Sequence, residues 1–206
     1  MSVVVARITQ TQAEMNLREI ADIRIKVFRE FPYVYDGSFD YEVKYLSRYF
    51  KAKNACFVVA QDTEKNNQIV GVATCLPLAE EDDFVQRPFA ENHLPIEQFF
   101  YFGESVLLPE YRGLGLGHKF FDEREKYARS FAKIQYTTFC AVERENNHPL
   151  KPLNYRSLHQ FWKLRGYEQQ KHLISEFEWL DLGQMHETKK RMNYWIKSWK
   201  TPEKLK

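Results

Sequence analysis

At 206 residues, 44% hydrophobic and 16% aromatic, the chain is long enough to fill one core and too apolar to stay disordered. Thirty basic residues against 28 acidic ones leave a net charge of +2, a near-balance that speaks against a nucleic-acid surface. Cys56, Cys75 and Cys140 are odd in number and lack metal-ligand spacing, which predicts free thiols, no metal and a reducing, cytoplasmic compartment; no apolar run reaches the ~20 residues of a membrane span, and Met1–Arg7 lacks the basic stretch of a signal peptide.

In chain order, residues 3–8 read as a strand and residues 11–31 as a helix, with Leu17, Ile20, Ala21, Ile23, Arg24, Val27 and Phe28 near helical spacing and Pro32 ending it. A turn over Tyr35-Asp36-Gly37-Ser38 leads to a second helix, residues 39–50. Strands over 55–61 and 69–76 flank the hairpin turn Glu64-Lys65-Asn66-Asn67. Residues 80–95 read as an acidic, irregular connection, followed by a strand over 99–108 and a helix from His118 to about Lys133. A strand (135–142), a loop, a helix from Asn154 to Arg165 ended by Gly166, and a strand (172–180) follow. Met192, Trp195, Ile196 and Trp199 predict a final amphipathic helix over 187–199. The order describes an α/β (α+β) fold, a mixed central sheet flanked by helices, over residues 1–182, with a C-terminal helical extension over 183–206 that packs on its own domain or on a second copy as a homodimer.

Between the strand ending at Leu108 and the next helix lies Arg112-Gly113-Leu114-Gly115-Leu116-Gly117, three of the chain's eight glycines. Glycines between a strand and a helix let backbone N–H groups approach a phosphate, at the positive end of the helix. A P-loop would need Lys and Ser/Thr after the last glycine, where His118-Lys119-Phe120 stand. A dinucleotide fingerprint would place its third glycine at His118 and would sit in the first βα unit.

The run Val106-x-x-Pro109-Glu110-Tyr111-Arg112-Gly113-x-Gly115-x-Gly117 resembles motif A of the GCN5-related N-acetyltransferases, whose turn reads Arg/Gln-x-x-Gly-x-Gly/Ala. The order of elements is similar to that family's over most of residues 3–180, and Phe161-Trp162-Lys163-Leu164-Arg165-Gly166-Tyr167 resembles its late-helix signature. The resemblance implies acetyl-CoA as co-substrate. Backbone N–H groups of Arg112 to Gly117 would hold the pyrophosphate, with His118 and Lys119 adding positive character. The pantetheine arm would lie between two splayed strands, 99–108 and 135–142, with Val106, Leu107 and Leu108 contributing main-chain groups. Asn154, as helix N-cap, and Ser157 would face the same arm.

Acetyl transfer to an amine needs that amine neutral, and a lysine-like amine has a pKa of about 10.4. Glu104, among apolar strand neighbours Phe102, Val106 and Leu108, is the candidate base; the alternative is a buried Glu paired with an Arg. Many family members place a tyrosine acid four residues before the late helix's terminal glycine. Here that position is Trp162, so Tyr155 is the substitute. Cys140 is more readily a small core residue than a nucleophile, and His148 a loop residue. The segment holding Tyr33, Tyr35 and Asp36 would receive a small-molecule or protein amine by stacking and charge, and Glu80-Glu81-Asp82-Asp83 reads as a solvated acidic loop. The resemblance implies an acetyl-CoA-dependent N-acetyltransferase working by direct attack in a ternary complex; a CoA-binding module without turnover, or transfer of a longer acyl group, are the alternatives.

Overall fold

The computed structural model describes residues 2–199. Strand β1 (Val3–Ile8) leads into two helices, α1 (Gln10–Met15) and α2 (Leu17–Phe28). The single helix expected over 11–31 is therefore broken at Asn16 and ends early. Asn16 leaves the helical region, and its side-chain amide donates to the Gln12 carbonyl at 2.7 Å, a local bond that competes with helix continuation. Helix α3 (Phe39–Lys51) starts at Ser38, whose hydroxyl accepts from the Tyr41 N–H. Strands β2 (Cys56–Asp62) and β3 (Gln68–Pro77) form the expected hairpin.

The expected irregular connection over 80–95 contains helix α4 (Asp83–Glu91), despite Pro88 within it. Val85 and Phe89 bury one face of α4 completely. Pro88 has no N–H for the Phe84 carbonyl, and that carbonyl instead accepts from the Ser175 hydroxyl at 2.8 Å. Strand β4 (Phe99–Leu107), helix α5 (Leu116–Ala128) and strand β5 (Tyr136–Val142) follow. Helix α6 (His159–Leu164) is shorter than expected: Asn154 lies in the preceding loop and is not its N-cap, while the Ser157 hydroxyl accepts from the His159 N–H at 3.1 Å.

After β6 (Glu168–Trp179), the expected final helix is instead strand β7 (Thr188–Ser198). The sheet order is β1-β2-β3-β4-β5-β7-β6, so β7 is enclosed by two antiparallel neighbours and is not offered to a second copy. A strand covered on both faces buries consecutive residues, here Met192 to Ile196, and such a run contains helical spacings by accident. Residues 200–206 of the expected extension lie outside the described residues.

All neighbouring strands are antiparallel except β4 and β5, which run parallel and pair only from Phe99↔Tyr136 to Tyr101↔Thr138. Beyond those residues the two strands part. Helices α2, α3 and α4 cover one face of the sheet; α5 and α6 cover the other, where Phe121, Phe139, Trp162 and Trp195 pack ring against ring. Opposite Thr74, β4 holds two residues, Gly103 and Glu104, as the pairing jumps from Ala73↔Ser105 to Cys75↔Phe102. This bulge breaks the alternation. Phe102 faces α5, against Arg124 and Phe121, whereas Glu104 faces α2 and α3. Phe102 is thus not on the same face as Glu104, contrary to simple alternation.

Candidate functional site

The turn after β4 is pinned before its glycines begin. The Tyr111 hydroxyl donates to Asp62 at 2.7 Å and receives Lys65 at 2.9 Å. Arg112 grips Glu30 through both terminal nitrogens, at 2.7 and 3.2 Å, and donates through Nε to the Leu107 carbonyl. The Arg112 N–H is taken by the Pro109 carbonyl, so the expected cradle starts one residue later. Gly113 and Gly115 have φ of +81° and +75°, where a side chain is strained. Among the described residues, no backbone carbonyl accepts from the N–H groups of Gly113, Leu114, Gly115, Leu116 or Gly117, and α5 starts within that run. Five successive free donors at a helix N-terminus, on a mostly exposed turn, form an anion cradle. His118 stands beside it, exposed, its ring 4.8 Å from that of Phe161 and its Nδ1 3.4 Å from Arg165.

The gap between β4 and β5 opens onto this turn. The Leu108 N–H donates to the Val70 carbonyl, so ladder alternation turns the polar groups of Leu108 and Val106 toward β3. Leu107 and Ser105 therefore present their main-chain groups to the gap; of the three residues expected to do so, only Leu107 does. Asn154 and Ser157 are both exposed in the loop before α6, and Ser157 is engaged in capping.

On the opposite face of the sheet, Glu104 is 5% exposed. One carboxylate oxygen forms an ion pair with Arg24 at 2.9 Å and accepts from the Tyr45 hydroxyl at 3.2 Å; the other, Oε1, is buried without a hydrogen-bond partner. Arg24 also pairs with Glu42, 0% exposed. Burial disfavours charge on Arg24, but Glu104 and Glu42 outweigh it and push the guanidinium upward. Glu104 thus has the buried arginine pairing anticipated as the alternative to a base. Arg24 was visible in the sequence as the one charge on the apolar face of α2. Glu42, Tyr45 and Tyr49 on α3 carried no comparable signal.

Tyr33 joins this centre. Its ring lies 4.5 Å from that of Phe28, over which the Arg24 guanidinium sits, and burial pushes its phenol up. Its loop is held by Arg144, which donates to the Pro32 carbonyl at 2.8 Å, to the Tyr33 carbonyl at 2.7 Å and to both oxygens of Asp181. Tyr155 is half-buried, edge-on to Phe31 at 4.6 Å, and burial raises its phenol. Asp36 does not join: it is exposed and paired with Arg29 at 2.7 Å. The Tyr35 ring is buried beneath Gly37, where a Cβ would lie 2.2 Å from it, and burial and then Glu42 of this centre push its phenol up. Trp162 is packing, between Phe139 and Trp195 at 5.0 and 5.1 Å. Cys140 lies 3.1 Å from the Tyr101 hydroxyl, and burial pushes its thiol up to about 12, which leaves it protonated and unsuited to attack. His148 accepts from the Leu150 N–H within its loop. Glu81 is buried rather than part of a solvated loop.

Among the described residues, no His, Cys, Asp and Glu side chains gather as metal ligands, and no helix is long and apolar enough to cross a membrane. The sequence model of the acetyltransferase (GNAT) family matches residues 19–166. No curated protein matches the chain by sequence. Among solved structures, NAA60 of Arabidopsis thaliana in complex with acetyl-CoA superposes with a TM-score of 0.62 at 12% identity, over 96% of this chain and 98% of its own. A GNAT superfamily phosphinothricin acetyltransferase of Sinorhizobium meliloti with acetyl-CoA gives 0.57 at 15% identity, over 96% and 89%. The ribosomal-protein-alanine N-acetyltransferase of Brucella melitensis gives 0.57 at 14%, over 95% and 99%. At these identities the likeness is one of fold.

Proposed function

Since the chain belongs to the acetyltransferase (GNAT) family and is an acetyl-CoA-dependent N-acetyltransferase, we propose how its own residues serve that reaction. The observation that carries the reading is the continuity of the five free N–H groups of Gly113–Gly117 with the gap between β4 and β5. The cradle suits a pyrophosphate, and the gap an extended arm that hydrogen-bonds as an added strand. The Leu107 N–H is the β4 donor available to polarise a thioester carbonyl in that gap.

The acceptor approaches from the α2–α3 face, where Oε1 of Glu104 has no partner and can accept from an amine. Glu104 removes the amine proton as its lone pair attacks the thioester carbon within a ternary complex; Tyr155 returns a proton to the departing sulfur. Tyr33 and the tyrosines around it favour a primary amine of a small molecule or a protein. Three buried free thiols support residence in the cytoplasm.

The test is a calorimetric titration with acetyl-CoA, then thiol release across a panel of small amines and peptide N-termini. Binding with turnover, and loss of about a hundredfold in kcat but not of binding in Glu104→Gln, is the expected result. Binding without turnover over the whole panel would favour a CoA-binding module; no binding would refute the reading.

A further inference from the structure

Glu104 is enclosed, so a proton it takes from the amine has to leave through the protein before the next turnover. Three polar contacts lead away from it. Tyr45 donates to Glu104 at 3.2 Å, the Tyr45 and Tyr49 hydroxyls are 3.4 Å apart, and Tyr49 donates to Glu81 at 3.0 Å. Both tyrosines lie on α3, one turn apart, so their hydroxyls share a side of the helix. Glu81 lies beyond β3 and borders the rim: Arg48 contacts its carboxylate at 3.5 Å and the half-exposed carboxylate of Asp82 at 2.6 Å.

Gly103 is part of the same arrangement. A Cβ there would stand 2.2 Å from the Tyr49 hydroxyl and 2.5 Å from the Thr74 hydroxyl. The bulge residue next to Glu104 has no side chain, and the Tyr49 hydroxyl occupies the space. Nothing in the packing of Tyr49 against Phe57 calls for a hydroxyl at that point.

We propose that Tyr45 and Tyr49 relay the proton collected by Glu104 to Glu81, from which it leaves at the Arg48–Asp82 rim. The inference rests on Glu104 as the base of the acetyl transfer. At rest each tyrosine points its proton at a carboxylate, Tyr45 at Glu104 and Tyr49 at Glu81. Tyr45 contacts the oxygen opposite Oε1, so once Oε1 has taken the proton a half-turn of the carboxyl carries it to the Tyr45 oxygen while the Tyr45 hydroxyl turns toward Tyr49. The Tyr45 proton passes to the Tyr49 oxygen, and the Tyr49 proton passes to the Glu81 carboxylate. One O–H bond forms and one breaks at each hydroxyl, and the net change is a proton moved from Glu104 to Glu81. Burial raises the Glu81 carboxyl above its ordinary value, which suits a group that must hold a proton in transit.

The experiment compares steady-state kinetics of the full chain with Tyr49→Phe, Glu81→Gln and the double variant, in H2O and D2O. Phenylalanine keeps the ring that packs on Phe57. Each single variant is expected to lose about tenfold or more in kcat with acetyl-CoA affinity unchanged, and to show a larger solvent isotope effect than the wild type. The double variant is expected to be no slower than the slower single one, since both interrupt one path. Single variants with kcat within about twofold of wild type, or losses that multiply in the double variant, would overturn the relay and leave the acetyltransferase reading standing. A wild-type protein inert toward every amine would overturn both.

Discussion

Replacing Gly115 tests the anion cradle with the least disturbance elsewhere. At φ +75° an L side chain costs about 1–2 kcal/mol, whatever its identity. No heavy atom lies within 4 Å of the Cβ position, so steric clash adds nothing. Ala and Glu at this position therefore share one folding penalty, which for a chain of this size lowers Tm by about 2–8 °C. They differ in charge. A carboxylate about 4 Å from a phosphate charge costs about 1 kcal/mol in a water-like medium and more where water is excluded, so the two charges of a pyrophosphate give at least about 2 kcal/mol, or about thirtyfold in Kd. Thermal melts of Gly115→Ala and Gly115→Glu should coincide, while calorimetry with acetyl-CoA at low salt should separate them by that factor. Coincident melts with affinities within about threefold would show that no phosphate sits at this turn.

Arg144→Ala frees the Pro32 carbonyl, leaves the Tyr33 carbonyl with the Trp179 indole N–H at 3.1 Å, and leaves Asp181 with Lys190 at 3.4 Å. It should raise KM for the amine severalfold and leave the Kd of acetyl-CoA unchanged; equal losses in both would mean that the loop serves the whole fold. Cys140→Ala should retain turnover within about threefold, because the buried thiol stays protonated well above neutral pH. Loss of activity, or a trapped acetyl-cysteine in the wild type by mass spectrometry, would reinstate a covalent route.

The glycine turn was legible because its requirement is local: positive φ and free N–H groups depend on a few adjacent residues. Glu104 was legible for a similar reason, a carboxylate on an otherwise apolar strand. What escaped depended on distant partners. Strand β7 reads as a helix until β5 and β6 pair with its two edges and helices cover its faces. Helix α4 reads as a loop until Ser175, more than eighty residues away in sequence, satisfies the carbonyl that Pro88 leaves open. The division of labour along β4, with Leu107 rather than Val106 or Leu108 facing the gap, follows from a ladder bond to Val70 that no periodicity reports. The tyrosines of α3 acquire meaning only beside a bulge in another element.

The position of β7 also bears on the order in which the molecule forms. The strands β1 to β4 are an antiparallel series in which each strand pairs with the next in the chain, so they can assemble without β7. Strand β5 is tied to β4 only at its first residues, and along its whole length it is held by β7. One wall of the gap therefore waits for residues 188–198, which follow it well downstream in the chain. During refolding, the capacity to bind acetyl-CoA should emerge in the slowest phase, after the β1–β4 half has become protected from hydrogen exchange. A lesion near the C-terminal strand would then first disable the nucleotide's berth, far in sequence from the glycines that hold it.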